Sequence, residues 1–192
     1  KGKLIIVDGV FSMEGDIADL PNIVQLAKAH GARVMVDDAH AIGVLGEGGR
    51  GTAEHFGLED QVDLIMGTYS KSLAAIGGFV AGSEEVINYI KHTWRSMIFS
   101  ASLPPALVAS VSAALDIIEE QPQLRTQLWK NTHKMLKSYK ELGYDTGTSE
   151  TPIIPIIIKD RIRTYEMCRL LFENGVFVNA VISPAVPPGR EL

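Results

Sequence analysis

Apolar residues are arranged along this chain as short clusters separated by longer stretches of helical period, the rhythm of strands and helices taken in turn. Leu4-Ile5-Ile6-Val7 and Arg33-Val34-Met35-Val36 read as strands, brief β-rich runs bounded by polar residues and glycine. Between them a helix is predicted from Leu20 to His30, and Gly31 stands where a helix C-terminus favours a residue free to take positive φ. Val62–Met66 reads as the next strand, Gly78–Gly82 as a short strand returning toward the sheet, and Glu84–Ile90 as a helix. Pro104-Pro105 opens a long helical stretch, Ala106 to Glu119 followed by Leu124–Leu142, expected to bridge two domains. Beyond it, Ile153–Ile158 is expected to be a strand, Thr164–Asn174 a helix and Val176–Val178 a second strand. This alternation predicts an α/β domain with a mostly parallel sheet, then a small α+β domain. No internal repeat or low-complexity segment interrupts it.

Two of the predicted strands end in residues with chemistry. Val36 is followed by Asp37, Asp38, Ala39 and His40, and Met66 by Gly67, Thr68, Tyr69, Ser70 and Lys71. Ligands of open α/β sheets bind at the carboxyl ends of strands, so a carboxylate, an imidazole and an amine can converge there on one crevice. A lysine among small and hydroxylated residues is a place to hold an aldehyde cofactor, provided burial or neighbouring positive charge lowers its pKa. Pyridoxal phosphate needs such a lysine, together with an acid paired to its pyridinium nitrogen. Taken alone, the lysine run also reads as an exposed loop, and Asp-x-x-His as a metal site or a helix cap.

Composition narrows the field. The chain has 192 residues, 46% hydrophobic, with a formal net charge of −5, the balance of an ordinary globular protein. No basic patch points to nucleic acid. The longest apolar stretches, such as Ile153 to Ile158, are too short to span a bilayer. The single cysteine, Cys168, excludes an intrachain disulfide framework and fits a cytoplasmic setting, and its place between Met167 and Leu171 predicts a buried apolar role. His30, His55, His92 and His133 have no chemical companions in sequence and read as solvated surface residues.

The run Thr68-Tyr69-Ser70-Lys71-Ser72-Leu73-Ala74 with Gly77 resembles the attachment-site signature of class II pyridoxal-phosphate aminotransferase-like enzymes. Val36-Asp37-Asp38-Ala39-His40, with Gly43 through Gly51, resembles their cofactor-ring segment. Asp8 through Asp16, Ser100-Ala101-Ser102-Leu103-Pro104-Pro105, and Asn179 to Gly189 extend the likeness over nearly the whole chain, most narrowly to the α-oxoamine synthases. That resemblance implies fold type I: a three-layer αβα large domain, partial in residues 1–103, then a bridging helix and the start of a small α+β domain in residues 104–192. The chain reads as a fragment. The ring-stacking residue would precede it and the arginine that grips the substrate carboxylate would follow it, a role not transferred to Arg190.

The same resemblance assigns roles. Lys71 would bind the cofactor aldehyde and later act as the base that removes the α-proton. Asp37 would pair with the pyridinium nitrogen, while Asp38, pointing the opposite way on an extended backbone, would be structural. His40 and Ser12 would contact the phenolic oxygen or the ring. Thr68, and more weakly Ser70, would hold the phosphate, and Ser100 would reach the phosphate of the neighbouring subunit in a homodimer with shared active sites. Gly46 to Gly51, with Arg50, would line the site or simply turn. No metal enters this scheme. The implied reaction is a decarboxylative Claisen condensation of an amino acid with an acyl-CoA. The motifs look most like the branch that uses serine, although Ile182 stands where some members have arginine. The alternatives are the alanine and pimeloyl-thioester branch, the branch that makes a β-keto amino acid without decarboxylation, an aminotransferase or lyase of the same fold, and a non-enzymatic module.

Overall fold

The computed structural model describes residues 1–192, which divide into two compact units. The first comprises Lys1–Phe11 and Ile17–Gln127, the second Ser12–Asp16 and Leu128–Leu192.

The first unit is built on a four-stranded sheet in the order β1 (Leu4–Asp8), β2 (Arg33–Asp37), β3 (Leu64–Thr68), β4 (Gly78–Gly82). The first three strands run parallel and β4 is antiparallel to β3, so the sheet is mostly parallel, as expected. Register sets Ile6 beside Met35 and Asp8 beside Asp37, which puts two carboxylates side by side at one end of the sheet. Side chains alternate between faces along a strand. Ile5, Val7, Val34, Val36 and Ile65 therefore share one face, and helix α1 (Leu20–Ala29) covers it with Leu20, Val24 and Ala27, all buried. Burying each Leu or Val there contributes about 1.5–3 kcal/mol, enough to hold a ten-residue helix that would be marginal alone. Asp19 caps α1 by accepting from the Asn22 amide, and Gly31, at φ +59°, ends it. Further along the same face, helix α5 (Pro105–Glu120) packs Leu107 and Val111 against Phe79, Ile42 and Leu73. On the opposite face Leu4 and Ile6 remain 49% and 63% exposed. The short helices α2 (Thr52–His55) and α4 (Arg95–Ile98), a single 3₁₀ turn at Glu59–Gln61, and α3 (Glu84–Thr93) complete the unit.

Helix α6 (Pro122–Glu141) contains the boundary between the units, and α7 (Arg161–Glu173) is the other helix of the second. Asp160 caps α7 by accepting from the Arg163 amide at 2.8 Å. Ser12–Asp16 is fastened into this unit by hydrogen bonds from Thr151 Oγ1 to the Gly15 carbonyl and from Thr148 Oγ1 to Asp16 Oδ1. The two strands expected here do not form. Pro152 and Pro155 lack amide donors, the Ile157 amide goes to Asp145 O, and the amides of Ile158 and Lys159 both point to the single carbonyl of Glu191, so Ile153–Ile158 makes no ladder. The Val176 amide is used to close the end of α7, donating to Leu171 O at 2.8 Å, and Val176–Val178 pairs with no strand. Cys168 is half-buried rather than buried; it lines a cavity of about 520 Å³ with Met167, Leu171 and Ile156.

Candidate active site

The geometry of the site begins where β2 ends. Asp37 is half-buried, and its Oδ1 accepts the Ala39 amide at 3.0 Å, an Asx turn that bends the chain out of the strand. Asp38 points the other way and is fully buried. Both of its oxygens are used: Oδ2 accepts the Thr52 amide at 2.9 Å and Oδ1 the Thr52 hydroxyl at 2.6 Å. Burial raises the Asp38 pKa, the two bonds from Thr52 oppose that rise, and the charge of Asp37 adds to it. The Asp38 carbonyl then accepts the amides of Ala41 and Ile42 at 2.9 and 3.0 Å, closing a tight turn that contains His40. The structural reading of Asp38 is therefore correct, and Thr52 is the partner that sequence reasoning missed. A threonine fourteen residues downstream leaves no local signal of that pairing.

The second part of the site follows β3. Thr68 is half-buried at its end, Ser70 and Lys71 are exposed, and Ser70 Oγ donates to Thr68 Oγ1 at 3.2 Å. The connection to β4 is pinned from beneath. Leu73 and Ala75 are buried against Ile42 and Val111, Tyr69 stacks on Phe79, and the Ala75 amide donates to Tyr69 O at 2.7 Å. Ser72 Oγ donates to the Ile42 carbonyl at 2.6 Å, tying the lysine loop to the turn that carries His40. Ser72 was quoted in the lysine motif but given no role; its neighbour Lys71 masked it. Lys71 is exposed because the loop's anchors face the α5 side and nothing in the first unit covers the lysine.

Electrostatics link the two parts. The pKa of His40 is held below its ordinary value, first by partial burial and then by the charge of Lys71, while Asp8 and Asp37 pull the other way. The site thus gathers Asp8, Asp37, His40 and Lys71 at the carboxyl ends of adjacent strands, and Asp8 is a fourth charge that the sequence reading did not single out. A depressed folded-state pKa means that the unfolded chain binds more protons in the window between the folded value and 6.5. The stabilisation from neutral His40 is present above the unfolded pKa and is lost as pH falls through that window. The denaturation midpoint of the parent should therefore fall more steeply below pH 6.5 than that of His40→Gln; parallel profiles would rule the coupling out.

Ser12, Ser100 and Gly46–Gly51 make no hydrogen bond to Asp8, Asp37, His40 or Lys71. Ser12 belongs to the second unit, where it lines the cavity described above. Ser100 lies in the wholly exposed segment 91–100 and donates only to the Met97 carbonyl, at 3.3 Å. Gly46–Gly51 is a turn in which Glu54 accepts the Gly48 and Arg50 amides, each at 2.8 Å. It borders a cavity of about 840 Å³ together with Ile65, Phe79 and Ile118, on the helix-covered face of the sheet. Asp37 lies on the opposite face by strand alternation. His30, His55, His92 and His133 are exposed, as expected. No group of three or more His, Cys, Asp or Glu side chains is arranged to hold a metal, and no helix is long and apolar enough to cross a membrane.

A mostly parallel sheet with an antiparallel edge strand, and with charged and hydroxylated side chains gathered at its carboxyl ends, is an open α/β sheet of the ligand-binding class. The chain belongs to the aminotransferase class I and II family, whose sequence model matches residues 1–190. It is 54% identical over 190 residues to a serine palmitoyltransferase of Sphingobacterium spiritivorum, covering 99% of this chain and 48% of that protein. It is 49% identical to an 8-amino-7-oxononanoate synthase of Thermoanaerobacter pseudethanolicus, over 98% of this chain and 48% of the relative. Among solved structures, a serine palmitoyltransferase from Sphingomonas wittichii superposes with a TM-score of 0.93 at 37% identity, over 99% of this chain and 48% of the other. The chain spans about half the length of the curated relatives it matches.

Proposed function

We propose that the protein to which this chain belongs is a pyridoxal-5′-phosphate enzyme that condenses an amino acid with an acyl-CoA, with L-serine and a long-chain acyl-CoA as the favoured pair. The observation that carries the proposal is the placement of Lys71, Asp37 and His40 at the carboxyl ends of neighbouring parallel strands, with His40 electrostatically coupled to the other two. The greater identity to serine palmitoyltransferases than to 8-amino-7-oxononanoate synthases favours serine over alanine. The donor set fits the cofactor. Lys71 supplies an accessible amine, and Asp37 retains an oxygen, Oδ2, that makes no hydrogen bond within the chain. Thr68 and Ser70 bring two hydroxyls within 3.2 Å of each other, a pair able to donate to phosphate. A solved serine palmitoyltransferase with PLP has a TM-score of 0.95 to this chain at 37% identity.

When bound, pyridoxal phosphate supplies an electron sink for negative charge at the α-carbon of the amino acid. The roles of the chain's residues are those the family resemblance implies, and the placement described above supports them. Lys71 would hold the aldehyde carbon through Nζ and, once the amino acid has displaced it, would accept the α-proton on the freed amine. Asp37 would pair its free oxygen with the ring nitrogen and so favour the protonated ring. His40, its pKa held below the ordinary value first by partial burial and then by the charge of Lys71, would contact the ring or its phenolic oxygen. Thr68 and Ser70 hold the phosphate. These residues all lie within 1–103, assigned here to the large domain, with 104–192 assigned to the bridging helix and small domain. Ser12 is proposed to contact the phenolic oxygen or the ring, and Ser100 to reach the phosphate of a neighbouring copy in a cytoplasmic homodimer. Support for the homodimer comes from the exposed run Trp94, Met97, Ile98 and Phe99, the last 81% exposed, beside Ser100.

The test uses the full-length, cofactor-loaded protein. L-serine should give a saturable change in visible absorption, and a long-chain acyl-CoA added next should release one CoA per turnover. The same response to alanine with pimeloyl thioester would move the protein to the other branch, and amino-group transfer without CoA release would overturn the acyltransferase reading. Asp37→Asn should still capture the aldehyde but should slow exchange of the amino acid's α-proton by about 10²-fold or more, a loss of roughly 2.7 kcal/mol of transition-state stabilisation. Exchange at the parent rate would remove Asp37 from the ring nitrogen.

A further inference from the structure

Asp38 is surrounded more tightly than a merely buried acid requires. A Cβ added to Gly9 would lie 2.1 Å from Asp38 Oδ1 and 2.2 Å from Thr52 Oγ1. One added to Gly51 would lie 2.2 Å from Asp38 Oδ2. Three backbone segments therefore close on a single carboxylate: the residue after β1, the residue after β2, and the start of α2. The first two of these segments follow a site residue directly. Gly9 follows Asp8, Asp38 follows Asp37, and the Asp38 carbonyl closes the turn that holds His40. The Gly9 amide in turn donates to Asp37 O at 2.8 Å, and the Asp38 amide to Met66 O at 2.8 Å, so the node continues the sheet ladder on both sides.

We infer that Asp38 and Thr52 are positioning residues: their two buried hydrogen bonds, fitted between Gly9 and Gly51, fix the backbone that presents Asp8, Asp37 and His40 to the site. Both residues are fully buried, which places them behind the site rather than on its surface. They act by denying the strand ends any alternative path, since a buried carboxylate that loses one donor must move or find another. As a positioning assignment for cofactor binding this rests on the function proposed above. As a statement about the imidazole of His40 it does not.

The test compares three variants of the full-length protein. Thr52→Val removes the hydroxyl donor while keeping the shape and the amide, Thr52→Ser keeps the donor, and Val24→Ala opens a cavity under α1. Two readouts are followed: the His40 titration midpoint by NMR, assigned by its loss in His40→Gln, and the dissociation constant for pyridoxal phosphate. The groups facing His40 are Lys71, Asp8 and Asp37, and they are unchanged in every variant. Thr52→Val should move the His40 midpoint up toward the unperturbed value and weaken cofactor binding by about tenfold, the loss expected for one buried hydrogen bond. Thr52→Ser should match the parent in both. Val24→Ala should lower the melting temperature with neither readout changed. If Thr52→Val lowers the melting temperature as Val24→Ala does while the His40 midpoint stays at the parent value, the positioning role is overturned. If the parent itself binds no pyridoxal phosphate, the functional proposal fails, and the His40 midpoint still decides this one.

Discussion

Lys71→Ala in the full-length protein is expected to abolish turnover, by at least ~10³-fold, while leaving stability unchanged. The kinetic loss follows from two roles at one atom. Lys71 is the amine that faces His40, so without Nζ the aldehyde carbon loses its anchor there, and the positioned base that removes the α-proton, usually responsible for about 10²–10⁴-fold, is lost at the same time. The stability forecast follows from burial. Lys71 is exposed, and the loop is held by Leu73, Ala75 and the Ser72 bond to Ile42 O rather than by the lysine. An exposed substitution of this kind stays within about 0.5 kcal/mol. Lys71→Arg sharpens the result, because guanidinium keeps the positive charge beside His40 but does not deprotonate in proteins. Both variants should be inactive, and neither should retain cofactor covalently after borohydride reduction and mass spectrometry. Turnover in Lys71→Arg would mean that positive charge, and not a nucleophilic amine, is what the site needs.

Residue types at strand ends are what made the site legible. Asp37, His40 and Lys71 announce their chemistry by composition, and the apolar runs before them fix which end of the sheet they occupy. Helix α1 was equally plain, since its apolar spacing, Asp19 cap and Gly31 stop agree with one another. What the sequence concealed depends on long-range contact. The Thr151 bond to Gly15 spans 136 residues, and it fastens Ser12–Asp16 into the second unit although its neighbours on both sides belong to the first. Ile153–Ile158 shows the opposite failure. An apolar run has strand propensity, but a strand also needs a partner ladder, and its two prolines and shared Glu191 acceptor leave none. The exposure of Lys71 was hidden for a related reason, because motif identity does not reveal which face of a loop its anchors occupy.

Gly9→Ala should be strongly destabilising for a change of one methyl group. Gly9, Asp38 and Thr52 are all buried, and a Cβ at position 9 would stand 2.1 and 2.2 Å from two polar oxygens and 2.9 Å from Thr52 Cβ. None of these atoms is the free end of a flexible side chain, since both oxygens are held by the bonds they share with each other. Relief requires β1 to shift against β2, or the carboxylate to give up a donor. Overpacking costs about 1–3 kcal/mol, and a buried acceptor left unpaired costs about 1–3 kcal/mol more. At roughly 2–4 °C per kcal/mol for a chain of this size, the melting temperature should drop by about 5–20 °C. Gly2→Ala, with no atom within 4 Å of the added carbon, is the control and should not move it. The larger consequence is functional: because the shift falls between Asp8 and Asp37, the surviving folded fraction should bind pyridoxal phosphate more weakly than the parent even well below its melting temperature. A Gly9→Ala protein that melts within about 2 °C of the parent would show that the strand ends can separate without cost, and the buried carboxylate would then be a passenger rather than the joint that aligns the site.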